Sequence, residues 1–246
     1  MLTSPFVLVL FLITDFADGG DLHALWTSQE SFPVDHVRFY VAELVVALTY
    51  LHSCFIIYRD LKFENILVDR EGHVILTDFG LSKILSPRGS KYATSVCGTV
   101  GYQAPEMFLL KKYSFSFDWF SLGIVSFEML TGNPPYKSKQ KTDSAIQRAI
   151  QGGNYEQLPG KLPESVKSFV HNLLEVNPKH RLGYKDEDVK RHDFFADIQW
   201  DTVENRRLNP PYVPGIKKFD ENKNDVQHFD PHLGKNYFHQ FNYPDK

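Results

Sequence analysis

The first 37 residues contain no lysine or arginine; Arg38 is the first basic side chain besides histidine. The longest early apolar run, Phe6 to Ile13, therefore lacks the cationic flank of a signal peptide, and Asp15 and Asp18 follow it with no small-residue cleavage pattern. Eight residues are also far too few to span a bilayer, so a buried strand is expected there. Cysteine is scarce. Cys54 and Cys97 are the only two and form no C-x-x-C, which removes a disulfide framework and makes a reducing, intracellular compartment (cytoplasm, nucleus or both) the expectation. None of the ten histidines lies in an H-x-x-H, and no Cys/His spacing suggests a zinc site. Charge of one sign is missing too: a net −3 gives no case for a nucleic-acid or membrane partner. Glycine, lysine and glutamate are all absent from the first fourteen residues.

What is present is ample core material. Of 246 residues, 42% are hydrophobic and 14% aromatic, enough for one large domain or two small ones. The chemistry gathers between Tyr58 and Gly80. Tyr58-Arg59-Asp60-Leu61-Lys62-Phe63-Glu64-Asn65 precedes the apolar Ile66-Leu67-Val68. Asp69-Arg70-Glu71-Gly72 then reads as a tight turn, His73-Val74-Ile75-Leu76 as a returning strand, and Thr77-Asp78-Phe79-Gly80 closes the stretch. Such a hairpin brings its outer ends to one side. Asp60, Lys62 and Asn65 enter from one end and Asp78 from the other, which collects hard oxygen donors suited to Mg²⁺ and nucleotide phosphates.

Here the chain resembles the eukaryotic protein kinases, whose catalytic loop reads R-D-x-K-x-x-N with D-F-G beyond a short hairpin. Val96-Cys97-Gly98-Thr99 through Ala104-Pro105-Glu106 resembles an activation segment, and its C-G-T is characteristic of the AGC group of Ser/Thr kinases. Asp118-Trp119-Phe120-Ser121-Leu122-Gly123 resembles D-x-W-S-x-G, with phenylalanine in place of tryptophan. Gly-Leu-Ser-Lys after Asp78-Phe79, and Asp-Leu-His-Ala-Leu-Trp after the hinge, resemble the ribosomal S6 kinase group. Near the end, Pro210 to Pro214 and Phe238-His239-Gln240-Phe241-Asn242-Tyr243 resemble the AGC tail and its hydrophobic motif, with Asn242 where a phosphoacceptor would stand.

The resemblance implies an α+β kinase-like fold: a mainly helical large lobe with a short β-hairpin at the cleft. Residues 1–14 would be a small-lobe strand remnant, 15–200 the large lobe and 201–246 the tail. A glycine-rich loop, a strand lysine and a helix glutamate belong before the hinge, and the first fourteen residues carry none of the three. Helices are expected over Pro33–His52, Phe115–Thr131, Thr142–Gln151 and Pro163–Glu175, and a strand over Phe55–Ile57.

The implied activity is transfer of the ATP γ-phosphoryl group to Ser or Thr of protein substrates, with ATP and Mg²⁺ bound. By resemblance Asp60 takes the hydroxyl proton, Lys62 steadies the γ-phosphate, Thr99 bridges the two, and Asn65 and Asp78 hold Mg²⁺. Thr14 would be the gatekeeper, Asp15 and Ala17 would offer backbone groups to adenine, Asp21 would reach the ribose, and Leu67 would floor the pocket. Asp118 would accept catalytic-loop N–H bonds, and Glu106 would pair with Arg181. Ser95 would receive a phosphate from an upstream kinase and dock on Arg59, with Thr94 as the other acceptor. Glu64, Glu128 and Asp21 would bind basic residues of the substrate; solvated surface acids are the alternative. Two competing identities stay open: a large lobe that docks partners without catalysis, and an incomplete or alternatively spliced product of a kinase gene.

Overall fold

The computed structural model describes residues 17–29, 31–86, 89–137, 140, 142–185 and 187–214. The Phe6–Ile13 strand, Thr14, Asp15 and the Phe238–Tyr243 motif lie outside them.

The core is built on α4, Ser116–Thr131, whose residues from Ser116 to Leu130 are all buried. A helix apolar around its whole circumference must be surrounded by other elements. It packs against α2, Val34–Ser53, and against α6, Glu164–Leu173. Gly123 makes the second contact close: a Cβ there would sit 2.9 Å from Leu173 Cβ and from Leu174 Cδ2. Gly132 ends α4 in the left-handed region, φ 73°, with its N–H returned to Glu128 O. Shorter helices surround this frame: α1 (Leu22–Gln29), α3 (Glu106–Leu109), α5 (Asp143–Gly152), α7 (Glu187–Lys190) and α8 (Trp200–Glu204).

Among the described residues, four short strands form two ribbons. β2, Ile66–Val68, pairs antiparallel with β3, Val74–Leu76, in the register Ile66–Leu76, Leu67–Ile75, Val68–Val74. The turn between them is held by Asp69, whose Oδ1 accepts the N–H groups of Glu71 (2.9 Å) and His73 (3.0 Å), and by Gly72 at φ 96°. β3 starts one residue after His73, whose backbone belongs to the turn with Asp69 and whose imidazole is buried against Glu43 of α2, Nδ1 to Oε1 2.5 Å. β1, Ile56–Ile57, pairs with β4, Lys83–Ile84.

One expectation needs correction, and three features were not foreseen. Phe55 is not in a strand; it is exposed at φ 61°, the turn residue between α2 and β1. α1 forms in a stretch that the apolar pattern did not mark as helical. The polar segment after Gly80 includes β4, because Lys83–Ile84 finds β1 as a partner. Finally, α8 begins at Trp200, and the chain after it runs against the β2–β3 turn. There Arg206 pairs with Asp69, and Pro210 and the Tyr212 carbonyl close over Gly72.

Candidate active site

The hairpin does what its sequence pattern implied. Thr77 N–H donates to Asn65 O at 3.0 Å, which locks its two outer ends together. Asp60, Lys62 and Asn65 therefore stand on one side of that junction and Asp78 on the other.

The loop before β2 is hung from the start of α4. Asp118, fully buried, accepts Tyr58 N–H on Oδ2 (2.9 Å) and Arg59 N–H on Oδ1 (2.8 Å), and His52 Nε2 lies 2.9 Å from Oδ2. These bonds hold Arg59 at φ 73°, a conformation that a long side chain resists and that surrounding structure must over-determine. The chain reverses at Arg59 and delivers Asp60, 5% exposed, to the cleft.

Around Asp60 the contacts close on themselves. Thr99 Oγ1 donates to Oδ1 at 2.9 Å. Asn65 Nδ2 donates to Oδ2 at 2.9 Å, and Lys62 Nζ lies 3.0 Å from the same oxygen. Lys62 Nζ also donates to Thr99 Oγ1 at 2.9 Å. One carboxylate, an ammonium, an amide and a hydroxyl thus share a single network. A hydroxyl brought to Asp60 would meet a carboxylate already oriented on both oxygens.

Asp78 is held more lightly. It is exposed, sits at φ 55°, and its Oδ1 accepts Gly80 N–H at 3.1 Å. Tyr58 lies between the two halves. Its hydroxyl donates to Thr77 O, and its ring meets the Phe79 ring edge-on at 5.4 Å. Burial first, then the charges of Asp60, Asp78 and Asp118, push the Tyr58 phenol far above its usual range, so it stays a neutral donor.

These side chains fit a Mg²⁺–nucleotide. The Asn65 amide nitrogen donates to the Asp60 carbonyl and to Asp60 Oδ2, which leaves its carbonyl oxygen as a ligand, and Asp78 Oδ2 has no partner among the described residues. Among the described residues no cluster of three or more His, Cys, Asp or Glu could hold a metal unaided. A cation at Asn65 and Asp78 needs further oxygens from its ligand, as Mg²⁺ takes from phosphates.

The adenine-side candidates are stitched to β2. Gly19 N–H donates to Val68 O (2.9 Å), Val68 N–H to Gly20 O (2.8 Å), and Asp21 bridges Leu67. Ala17, Asp21 and Leu67 thereby lie along one edge. Asp21 Oδ1 accepts Ala24 N–H at 2.7 Å and caps α1, leaving its other oxygen available.

Two further groups meet across the loops. Arg59 Nη1 donates to Ser95 Oγ at 2.8 Å. Glu64 is exposed, but Glu128 is 6% exposed, and its Oε2 accepts the Tyr102 hydroxyl at 2.7 Å. Burial raises the Glu128 pKa to about 7; the Tyr102 bond opposes this and the Glu64 charge adds to it. Glu128 is therefore not a solvated surface acid. Away from the cleft, Arg181 and Glu106 form a buried bidentate pair at 2.7 and 2.8 Å, which fixes α3 to the loop after α6.

Several participants were not singled out from the sequence. His52, Tyr102 and Tyr113 are held by partners 16 to 66 positions away, a separation that no local pattern encodes. Trp26 stacks on Phe63 at 5.1 Å and supports the loop from α1. Its place at the end of the Asp21–Trp26 stretch was the available signal.

A protein kinase domain profile matches residues 8–195. The chain belongs to the protein kinase family, and the fold described is that of its mainly helical large lobe. Human ribosomal protein S6 kinase alpha-2 is 42% identical over 227 residues, 90% of this chain and 30% of that protein. The chicken ribosomal protein S6 kinase 2 alpha is 43% identical over 217 residues, 86% of this chain and 28% of that protein. A probable serine/threonine-protein kinase of Dictyostelium discoideum is 40% identical over 222 residues, 90% of this chain and 47% of that protein. The chain thus spans less than a third of the length of the S6 kinase relatives and about half of the Dictyostelium one. No helix among the described residues is long and apolar enough to cross a membrane.

Proposed function

We propose that the chain is the catalytic large lobe of an AGC-group serine/threonine kinase that transfers the γ-phosphoryl group of ATP to protein substrates. The observation that carries this reading is the closed network of Asp60, Lys62, Asn65 and Thr99 beside Asp78. Phosphoryl transfer asks little covalent work of a protein; positioning and charge neutralisation dominate. Asp60 orients the substrate hydroxyl and accepts its proton as the oxygen attacks phosphorus. Thr99 and Asn65 keep the carboxylate aimed, and Lys62 meets the negative charge of the transferred group. Asn65 and Asp78 hold Mg²⁺, which when bound neutralises phosphate charge. Asp15 and Ala17 offer backbone groups to adenine, Asp21 binds the ribose and Leu67 floors the base.

Glu64 and Glu128 form the anionic wall for a basic substrate residue. The Glu64 charge adds to the raised Glu128 pKa, so the two carboxylates stand close enough to interact. Ser95 takes a phosphate from an upstream kinase, and Arg59, already bonded to its hydroxyl, becomes the partner of that dianion. The setting is intracellular, in the cytoplasm, the nucleus or both. Calorimetric titration of the purified chain with Mg²⁺-ATP tests the core of this reading. Micromolar affinity that disappears in Asp78→Ala is expected, with phosphate transfer to a basic peptide lost in Asp60→Ala. A folded chain that binds no nucleotide would overturn autonomous catalysis.

A further inference from the structure

Tyr113 belongs to none of the motifs above, yet it touches the activation segment at several points. It is 2% exposed, and its ring packs on Phe117 at 5.0 Å. Its backbone pairs both ways with Ala93, at 2.8 and 3.0 Å. Its hydroxyl donates to Ser95 O at 2.5 Å, accepts from Arg59 Nη1 at 3.1 Å, and lies 3.6 Å from Cys97 Sγ. The same Arg59 nitrogen donates to Ser95 Oγ, while Arg59 Nε donates to Leu81 O at 2.5 Å.

We propose that Tyr113 is a positioning residue that sets the Arg59 guanidinium and the Ala93–Cys97 backbone in register to receive a phosphate on Ser95. This rests on the reading of Ser95 as phosphoacceptor and Arg59 as its partner. The physical reason is orientation. A guanidinium pairs well with a dianion only when its planar fork is aimed, and ordering an exposed loop carries a cost in conformational entropy. Thr94, Ser95 and Val96 are exposed and supply little packing of their own. Tyr113 is anchored on α4 through Phe117, so its hydroxyl transmits the rigidity of the core to both partners. Burial also pushes its phenol pKa up, so it stands beside the incoming phosphate as a neutral donor and adds no negative charge.

The test is hydrogen exchange by mass spectrometry on the full chain, unmodified and with phosphoserine incorporated at position 95, each with and without Tyr113→Phe. That substitution keeps the ring on Phe117. Amides of residues 93–97 are expected to exchange about tenfold faster in Tyr113→Phe, the scale of one lost hydrogen bond, with α4 unchanged. Phosphorus NMR should show the phosphoserine pKa below its free value of about 6 in the unaltered chain, and rising towards it in Tyr113→Phe. Unchanged exchange, acceleration spread equally through α4, or faster exchange with an unmoved phosphoserine pKa would each overturn the proposal. Neither readout needs catalysis, so a chain that transfers no phosphate leaves both interpretable. A phosphoserine pKa at the free value in the unaltered chain would instead sink the Arg59–Ser95 pairing, and this proposal with it.

Discussion

The two ends of the hairpin hold their carboxylates in opposite ways. Asp60 is buried and bonded through both oxygens, in a loop suspended from the fully buried Asp118. Asp78 is exposed, and one oxygen caps its own turn. Both regions include a non-glycine residue in the left-handed region, Arg59 and Asp78 themselves. At Arg59 the core enforces it through Asp118. At Asp78 only a short turn and the hairpin do, and a short polar side chain tolerates that conformation better than most. The difference suits the two tasks proposed for them. A proton acceptor gains from being fixed before its substrate arrives, whereas a metal ligand can complete its order when the metal binds.

The sharpest way to break this contrast is Asp118→Ala. It leaves the buried Tyr58 and Arg59 N–H groups without their acceptor, and a loss of about 3–5 kcal/mol is expected. Urea unfolding reads it directly, and a loss below about 1 kcal/mol would mean that the loop does not hang from α4.

Glu128 shows that burial without enough partners has a different result. Its pKa is raised from 4.5 to about 7, so the folded chain holds this proton more tightly than the unfolded one. The stability that the protonated group allows is present below 4.5 and is lost as pH rises towards 7. Glu128→Gln should therefore become more stable relative to the unaltered chain across that window, by up to about 3 kcal/mol. Unfolding titrations at several pH values measure it; a flat difference would show that Glu128 ionises freely.

Gly72→Ala addresses the hairpin itself. The position needs φ 96° and lies against the Tyr212 carbonyl, so about 1–2 kcal/mol of destabilisation is expected. Hydrogen exchange should quicken over residues 74–80 and not over 58–65. Equal loosening of both would mean that the catalytic loop also depends on the turn.

The smallest effect on stability belongs to Asp78→Ala, about 1 kcal/mol, because an exposed carboxylate with one local bond contributes little to folding and the main cost is that alanine tolerates φ 55° less well than aspartate. Its effect on Mg²⁺-ATP binding should be complete. A thermal melt beside the calorimetric titration separates the two, and a large drop in melting temperature would place Asp78 among the structural carboxylates.

The hairpin, its turn and the cleft residues could be read from the chain because strand alternation and turn chemistry are local. α2, α4 and α6 likewise follow from apolar spacing over ten or more residues. α1, only eight residues long, forms on support from β2 and Phe63, which no window of its own sequence contains. Phe55 looked like strand because its neighbours are, but the reversal out of α2 falls on it.

What the amino-acid sequence determined by itself is the order of the chemistry: which carboxylates, amide and ammonium stand at which ends of a hairpin, and the family that uses them. Tertiary structure decided which of those groups are rigid and which are free. It buried Glu128 beneath Tyr102, hung the Tyr58–Asn65 loop from Asp118, and placed the Tyr113 hydroxyl between Arg59 and Ser95. The reason is physical. Spacing along a chain is a local property, whereas burial, charge coupling and hydrogen-bond saturation depend on residues that only folding brings together.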